Sequence, residues 1–154
     1  MLLTQFLDFD AIKPAMAAGS KRGLFTLLGQ VAAPAVGLQP AEITLALAER
    51  EKMGSTGFGG GVAIPHARLE GLSRIYAMVA RLPSAIDYKA IDGVPVDLVF
   101  LLLSPPDAGP LHLKALAAIS RAVRHAPTVE QLRGAKSRDA LAAVLMGVDE
   151  AHVA

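Results

Sequence analysis

The chain has 154 residues, of which 53% are hydrophobic, and 15 Lys and Arg residues nearly balance 14 Asp and Glu residues for a formal net charge of +1. This length predicts one domain with a sizeable core, and the near-neutral charge argues against nucleic acid as the main partner. The absence of cysteine excludes disulfides, thiolate metal sites and cysteine nucleophiles.

Neither a signal peptide nor a membrane span is predicted. The N-terminal stretch lacks a basic region, and Asp8 interrupts its apolar run. The longest apolar run, residues 98–103, is far below the ~20 residues needed to span a bilayer. We therefore expect no membrane insertion, a cytoplasmic location, and a single domain over residues 1–154 with a short flexible C-terminal tail from about residue 148.

The first third of the chain is predicted to form two helices. The first begins at an N-cap on Ser20 and stops at Pro34. The second begins with Pro40 at its first position and closes at Gly54. Its inward-facing stripe contains Arg50 where an apolar side chain is expected, so Arg50 is a candidate site residue.

Three apolar segments in the middle of the chain predict strands. Residues 62–64 and 74–82 are β-favouring, and residues 96–103 are almost unbroken apolar, as in a central strand covered on both faces. Two further helices are predicted over residues 111–126 and from an N-cap at Ser137 to Gly147. Because helices and strands interleave, the predicted fold is a single α/β domain, a mixed β-sheet with helices packed on its faces.

A glycine-rich run over residues 54–61 leads into a short apolar segment that ends in Pro65 and His66. Proline fixes its own φ and favours an extended Ile64, so His66 projects in a reproducible direction. An imidazole with a reference pKa of about 6.5 is largely neutral, and therefore nucleophilic, near pH 7. His66 is the candidate reactive group; the alternative is a histidine that caps a turn.

Signatures of several other sites are missing. The glycine run lacks the Gly-Lys-Ser/Thr end of a P-loop, and the four histidines show no His-Glu-x-x-His spacing. A hydrolase elbow of the form Gly-x-Ser-x-Gly is also missing. We therefore expect no nucleotide, no metal and no other cofactor.

Four blocks of sequence, in order along the chain, carry a family resemblance. They run from Arg50 to Gly57, from Val62 to His66, from Ala90 to Phe100 and from His112 to Leu116. The chain thereby resembles, over roughly residues 2–146, the enzyme IIA proteins of the bacterial phosphoenolpyruvate-dependent phosphotransferase system. It is similar to the fructose/mannitol class and, through residues 50–57, most similar to the nitrogen-regulatory branch.

The resemblance implies a phosphoryl carrier. It implies a phosphohistidine at His66, formed on Nε2 with a phosphoryl group from an HPr-like phosphocarrier, and regulation of partner proteins of unknown identity by phosphorylation state. Two alternatives stay open: a sugar-transport IIA that passes the phosphoryl group to a IIB domain, and a non-enzymatic partner-binding regulator of the same fold.

Two further residues are expected to act on the phosphoryl group. The resemblance implies that Arg50 holds it, and a guanidinium suits phosphate oxygens because it is planar and always charged. His112 lies at a predicted helix N-terminus, which keeps a ring neutral and attracts anions; the resemblance places it beside the reactive histidine. The alternatives are a surface arginine paired with a carboxylate such as Glu49 or Glu51, and a helix-capping histidine.

Smaller groups before His66 are expected to bind phosphoryl oxygens. Glycine permits positive φ and close approach, so the N–H groups of Gly59, Gly60 and Gly61 can point at an anion. The hydroxyls of Ser55 and Thr56 can add donors. The alternative is a flexible turn between a helix and a strand.

A carrier must also dock its donor, so a shallow apolar surface is expected around His66. Phe58 and Leu111 are the predicted docking residues, because aromatic and apolar anchors supply most of the affinity of such surfaces. The alternative for Phe58 is burial in the core.

Overall fold

A computed structural model of the protein describes residues 1–153, with side chains through residue 151. Two 3₁₀ turns come first, Leu3–Gln5 and Phe9–Ala11. Within the described residues they are followed by five helices and five strands: α1 (Lys21–Val36), α2 (Pro40–Glu51), β1 (Gly57–Gly59), β2 (Val62–Ala63), β3 (His66–Arg68), β4 (Tyr76–Ile86), β5 (Val96–Ser104), α3 (Pro110–Arg124), α4 (Ala126–Gly134) and α5 (Arg138–Val153).

The first helix begins as predicted but ends later. The Ser20 side chain caps α1 by accepting a hydrogen bond from the Gly23 N–H at 3.0 Å. Pro34 does not stop the helix, which continues to Val36. The helix ends where Gly37 adopts φ +70° and its N–H bonds to a carbonyl of the last turn. Pro34 removes one intrahelical hydrogen bond, and only Ala35 and Val36 continue the helix beyond it.

Strand β5 is the centre of the sheet. It pairs antiparallel with β4 along one edge. Along its other edge it pairs in parallel first with β2 and then with β3, and β1 adds to β2 as an antiparallel partner. The N-terminal segment lies beside the free edge of β4 through parallel bridges at Leu7 and Lys13. The result is a mixed, open sheet.

The alternating side chains of β5 supply two hydrophobic cores. Leu98, Phe100 and Leu102 belong to the core beneath α3, α4 and α5. Val99, Leu101 and Leu103 belong to the opposite core beneath α1 and α2. A strand buried on both faces reads as the continuous apolar run seen in the sequence. The sheet between two helical layers confirms the predicted α/β fold.

Two C-terminal features differ from the sequence prediction. The helix predicted over residues 111–126 corresponds to α3, which ends at Arg124, and the sequence analysis did not predict α4, which begins at Ala126 with a proline in its first turn. The last helix does not end at Gly147 but continues to Val153. Buried Asp149 accepts hydrogen bonds from the N–H groups of Leu3 and Thr4 at 2.9 and 2.8 Å, which ties this helix to the N-terminal turn. The tail predicted from about residue 148 begins inside α5, and residue 154 lies outside the described residues.

In the portion of the chain that the structure describes, every helix is too short or too polar to cross a membrane.

Candidate functional site

His66 begins β3, at the point where the chain passes from β2 to β3 along the edge of β5. Its Cα partner in the sheet is Leu102. The Pro65 carbonyl accepts a hydrogen bond from the Leu102 N–H at 3.0 Å, so the proline is fixed in the sheet although it has no N–H to donate. The half-buried His66 ring is therefore held by a rigid strand, as the sequence predicts.

One hydrogen bond fixes the tautomer of the His66 ring. Nδ1 lies 2.7 Å from the Ile64 carbonyl oxygen. A carbonyl oxygen only accepts, so Nδ1 carries the proton and donates it. In the neutral ring Nε2 then keeps its lone pair, which makes it the nucleophilic atom.

His112 lies beside His66 in the first turn of α3. The two ring centroids are 5.7 Å apart, and the ring planes are tilted by 51°. His112 is only 7% exposed, and its Nδ1 lies 2.6 Å from the hydroxyl of Ser104, the last residue of β5. The structure thus brings together two histidines that are far apart in sequence.

Both rings are held in the neutral form near pH 7. Burial lowers the pKa of His66 and the positive charge of Arg50 lowers it further, against the opposing effect of the Ile64 hydrogen bond. Burial also lowers the pKa of His112, to about 4, with further contributions from Arg68, His66 and Arg50. A neutral His66 is the form that can attack an electrophile.

Arg50 lies in the last turn of α2, half-buried, and its charge acts on both histidines. Its guanidinium donates to the Gly54 carbonyl at 3.1 Å. Among the described residues no carboxylate pairs with it, since Glu49 pairs with Lys52 and Glu51 with Lys21. A guanidinium has five N–H donors, so others remain for an anion.

A second arginine, Arg68, was missed by the sequence reasoning. It follows His66 by two residues in β3, so both side chains leave the same face of the sheet. Its guanidinium lies 3.5 Å from the carbonyl oxygen of Gly109, at the N-terminus of α3. After burial, Arg68 is the strongest influence that lowers the pKa of His112. Strand spacing from His66 was the signal that could have identified it.

The two hydroxyl candidates have different surroundings. The half-buried Ser55 accepts a hydrogen bond from the Gly57 N–H at 3.0 Å, which leaves its own proton available. The buried Thr56 hydroxyl donates to Glu51 at 2.5 Å and accepts from the Tyr88 hydroxyl at 2.6 Å. Its single proton is thus committed to Glu51, and Thr56 fastens the loop to α2.

Gly59, Gly60 and Gly61 are not brought to His66. Gly59 ends β1, and Gly60 and Gly61 form the tight turn to β2; their φ angles are +116°, +63° and +85°. The neighbouring Val62 pairs with Leu98, whereas His66 pairs with Leu102, four residues or about 13 Å further along β5. The Gly60 N–H donates to Asp92 at 2.9 Å. Positive φ here serves a hairpin turn, which is the physical reason for the glycines.

Both predicted docking residues are exposed. Leu111 is 48% exposed and immediately precedes His112 in the first turn of α3. Phe58 is 38% exposed in the middle of β1, so it is not a core residue. Leu113, on the other side of His112 in sequence, adds a further exposed apolar side chain.

Together, the fold and the site define a class of domain: an α/β sandwich that presents a neutral, nucleophilic histidine beside a second neutral histidine and two arginines. Such a cluster suits an anionic group that is transferred to nitrogen. The family model described as "Phosphoenolpyruvate-dependent sugar phosphotransferase system, EIIA 2" matches residues 5–147. The chain belongs to this family, and membership implies a role as a phosphoryl-transfer carrier.

Similar proteins are consistent with that family. A protein of Bradyrhizobium diazoefficiens named "Nitrogen regulatory protein" is 42% identical over 145 residues, which cover 94% of this chain and 95% of the relative. The crystal structure of nitrogen regulatory protein IIA-Ntr from Neisseria meningitidis has a TM-score of 0.87 at 34% identity, over 92% of this chain and 97% of that one. The mannitol IIA of Escherichia coli, at 18% identity, shares the fold with a TM-score of 0.76 over 90% of this chain and 97% of that one.

Proposed function

We propose that the protein accepts a phosphoryl group on Nε2 of His66 from an HPr-like phosphocarrier in the cytoplasm, and regulates partner proteins according to its phosphorylation state. The observation that carries the proposal is the 2.7 Å hydrogen bond from His66 Nδ1 to the Ile64 carbonyl. It leaves Nε2 as the nucleophile, next to cations that suit a phosphoryl group. The similarity to proteins named nitrogen regulatory protein supports the regulatory role.

The transfer step needs only an exchange of nitrogen–phosphorus bonds. The Nε2 lone pair of His66 attacks the phosphorus, the bond to the imidazole nitrogen of the donor breaks, and its electron pair returns to that nitrogen. The positive charge that develops on the His66 ring is stabilised by the Nδ1–H bond to Ile64. Because no proton has to leave Nε2, the neutral ring reacts without a general base.

Three side chains are proposed to hold the phosphoryl oxygens. Arg50 can use the donors that Gly54 does not occupy, and His112 contributes a neutral ring at a helix N-terminus. Ser55 has a free hydroxyl proton. Positioned donors aimed at the equatorial oxygens account for most of the catalysis in phosphoryl transfer.

Docking of the donor is proposed to use Leu111, which immediately precedes His112 in the chain, and the exposed Phe58. Both present apolar surface that no other part of the described chain covers. Aromatic residues such as phenylalanine are enriched in the cores of protein interfaces, where charged residues are depleted.

The proposal is tested by incubating the protein with phosphoenolpyruvate, enzyme I and an HPr-like carrier, followed by intact-mass measurement. We expect a mass gain of one phosphoryl group that is labile in acid and stable in base. A chain that stays unmodified, while a known IIA protein in the same mixture is labelled, contradicts the carrier role and leaves only partner binding. Adding a IIB domain to the labelled protein distinguishes the branches, because rapid loss of label to IIB indicates the sugar-transport role.

A further inference from the structure

Ser104, the last residue of the apolar strand β5, contacts the ring of His112. Its hydroxyl is 2.6 Å from Nδ1 of His112. Ser104 is 0% exposed and His112 is 7% exposed. The contact is therefore a hydrogen bond between two buried side chains, at the site where the phosphoryl group is proposed to sit.

Two proton arrangements can make this bond. Neutral histidine has one N–H, and a serine hydroxyl has one proton and two lone pairs. In the first arrangement the Nδ1–H of His112 donates to the serine oxygen. In the second, the serine hydroxyl donates to Nδ1, and the histidine proton is on Nε2. A distance between heavy atoms does not separate the two.

The burial of both side chains distinguishes the two proton arrangements. Within the described residues, His112 Nδ1 is the only hydrogen-bond partner of the Ser104 hydroxyl. In the first arrangement the hydroxyl proton would be buried with no acceptor, which is costly. In the second, the hydroxyl proton and Nδ1 satisfy each other. The neutral form of His112 that this requires is favoured by burial and by the neighbouring arginines, which lower its pKa to about 4.

We propose that Ser104 is a positioning residue that donates to Nδ1 of His112 and thereby fixes the His112 proton on Nε2. The two histidines are then held in opposite tautomers, because the Ile64 carbonyl fixes the proton of His66 on Nδ1. His66 keeps a lone pair on Nε2, and His112 keeps an N–H on Nε2. The pair is preorganised as one nucleophile and one hydrogen-bond donor.

The consequence for phosphoryl transfer rests on the proposed function. With Nδ1 occupied by Ser104, Nε2 is the nitrogen of His112 left to meet a phosphoryl oxygen. An N–H at that atom stabilises the oxygen, whereas a lone pair would repel it. Ser104 thus acts on the reaction through His112 without contacting the phosphoryl group.

The tautomer can be read directly by NMR. Long-range ¹H–¹⁵N spectra of the histidine rings at pH 7 distinguish a protonated from an unprotonated ring nitrogen. The matched pair Ser104→Thr and Ser104→Val separates the hydroxyl from the shape, since threonine keeps the donor and valine has the same outline without it. His125, whose Nδ1 lies 2.8 Å from the Thr128 hydroxyl, serves as an internal reference in every spectrum.

We expect an Nε2–H signature for His112 in the wild type and in Ser104→Thr, and a mixture of tautomers in Ser104→Val. An Nδ1–H signature in the wild type overturns the proposal, as does a pure Nε2–H form in Ser104→Val. If valine prevents folding, Ser104→Ala provides the same comparison with a smaller side chain.

Kinetics give a second readout. We expect Ser104→Val to slow phosphoryl acceptance about tenfold at saturating donor, less than the ~10²–10³ typical for outright loss of a donor, with an unchanged donor concentration for half-maximal rate. Full rate with Ser104→Val contradicts the role. A wild type that shows the Nε2–H tautomer but accepts no phosphoryl group would refute the proposed function and leave the tautomer assignment intact.

Discussion

At the scale of single residues, the site depends on how each ring is held. His66 and His112 are both neutral near pH 7, yet their Nδ1 atoms face different partners, a carbonyl oxygen and a hydroxyl. Burial disfavours protonation of both rings, the positive charge of Arg50 adds to this effect at both, and that of Arg68 adds to it at His112. The charge of Arg50, which adds to the effect of burial on the pKa of His66, also suits the site to a phosphoryl group.

Replacing Arg50 tests whether its free donors bind the phosphoryl group. We expect Arg50→Ala to slow acceptance by about 10²–10³ without abolishing it, because other donors remain. Arg50→Lys is the matched control, since it keeps the charge but loses the planar fork; its rate should lie between those of the wild type and the alanine variant. Single-turnover labelling measures the rates of the wild type and both variants. An alanine variant as fast as the wild type would show that Arg50 only binds the Gly54 carbonyl.

The lowered pKa of His66 predicts the pH dependence of the reaction. Because the pKa of His66 lies below its reference value of about 6.5, the acceptance rate measured from pH 7.5 downward should decline with a midpoint below pH 6.5. Labelling rates measured across this range, with the donor already phosphorylated, check the prediction. A rate that has already halved at about pH 6.5 or above would mean that His66 is not desolvated as the structure shows.

The lowered histidine pKa values also predict how the stability of the fold depends on pH. A histidine whose pKa is lower in the folded than in the unfolded state binds fewer protons when folded. The free energy of unfolding therefore does not lose this contribution above about pH 6.5 and declines as the pH falls below that value. For His112 the decline extends toward its folded pKa of about 4. Denaturant titrations at several pH values should show a shallower decline in His112→Gln. An equal decline in both proteins would contradict the lowered pKa.

At the scale of elements, the sequence specifies what local chemistry determines. Ser20 as a cap, the apolar run of β5 and the proline before His66 act within a few residues, and each was predicted. Arg68 and Ser104 were missed because their roles depend on contacts across the fold, at Gly109 and at His112. The glycines at residues 59–61 were expected near His66, whereas the structure places them at the hairpin between β1 and β2, for a related reason. Positive φ suits an anion site and a hairpin turn equally, and only strand register separates the two.

A substitution at Gly61 tests this placement. Its φ of +85° disfavours a side chain, and an added Cβ would contact the Arg133 guanidinium and lie 3.2 Å from the Pro95 carbonyl oxygen. We expect Gly61→Ala to cost about 1–2 kcal/mol, or a fall of roughly 3–8 °C in Tm. Phosphoryl acceptance by the folded protein should be unchanged, because the turn between β1 and β2 lies at the end of β2 that is farther from His66.

Gly134→Ala is the matched control, since an added Cβ there meets nothing within 4 Å. It should leave both melting and acceptance near the wild-type values. If Gly61→Ala melts normally but no longer accepts a phosphoryl group, the glycine N–H groups bind the phosphoryl oxygens after all, and their placement away from the site is contradicted.

At the scale of the whole molecule, β5 organises both stability and chemistry. Its alternating side chains fill two cores, its edge positions His66, and its last residue contacts His112. The N-terminal turn closes against α5 through Asp149, on the side of the sheet that carries α3. The same strand thus aligns two histidines that are separated by 46 positions in the chain, which no local pattern could show.

The central claim is that His66 accepts the phosphoryl group on Nε2. The most direct measurement is a ¹⁵N–³¹P correlation spectrum of the phosphorylated, ¹⁵N-labelled protein, with His66→Ala as the control. We predict coupling of phosphorus to Nε2 of His66 and no labelling of the folded alanine variant. Coupling to Nδ1, coupling to a nitrogen of His112, or full labelling of His66→Ala would contradict the account.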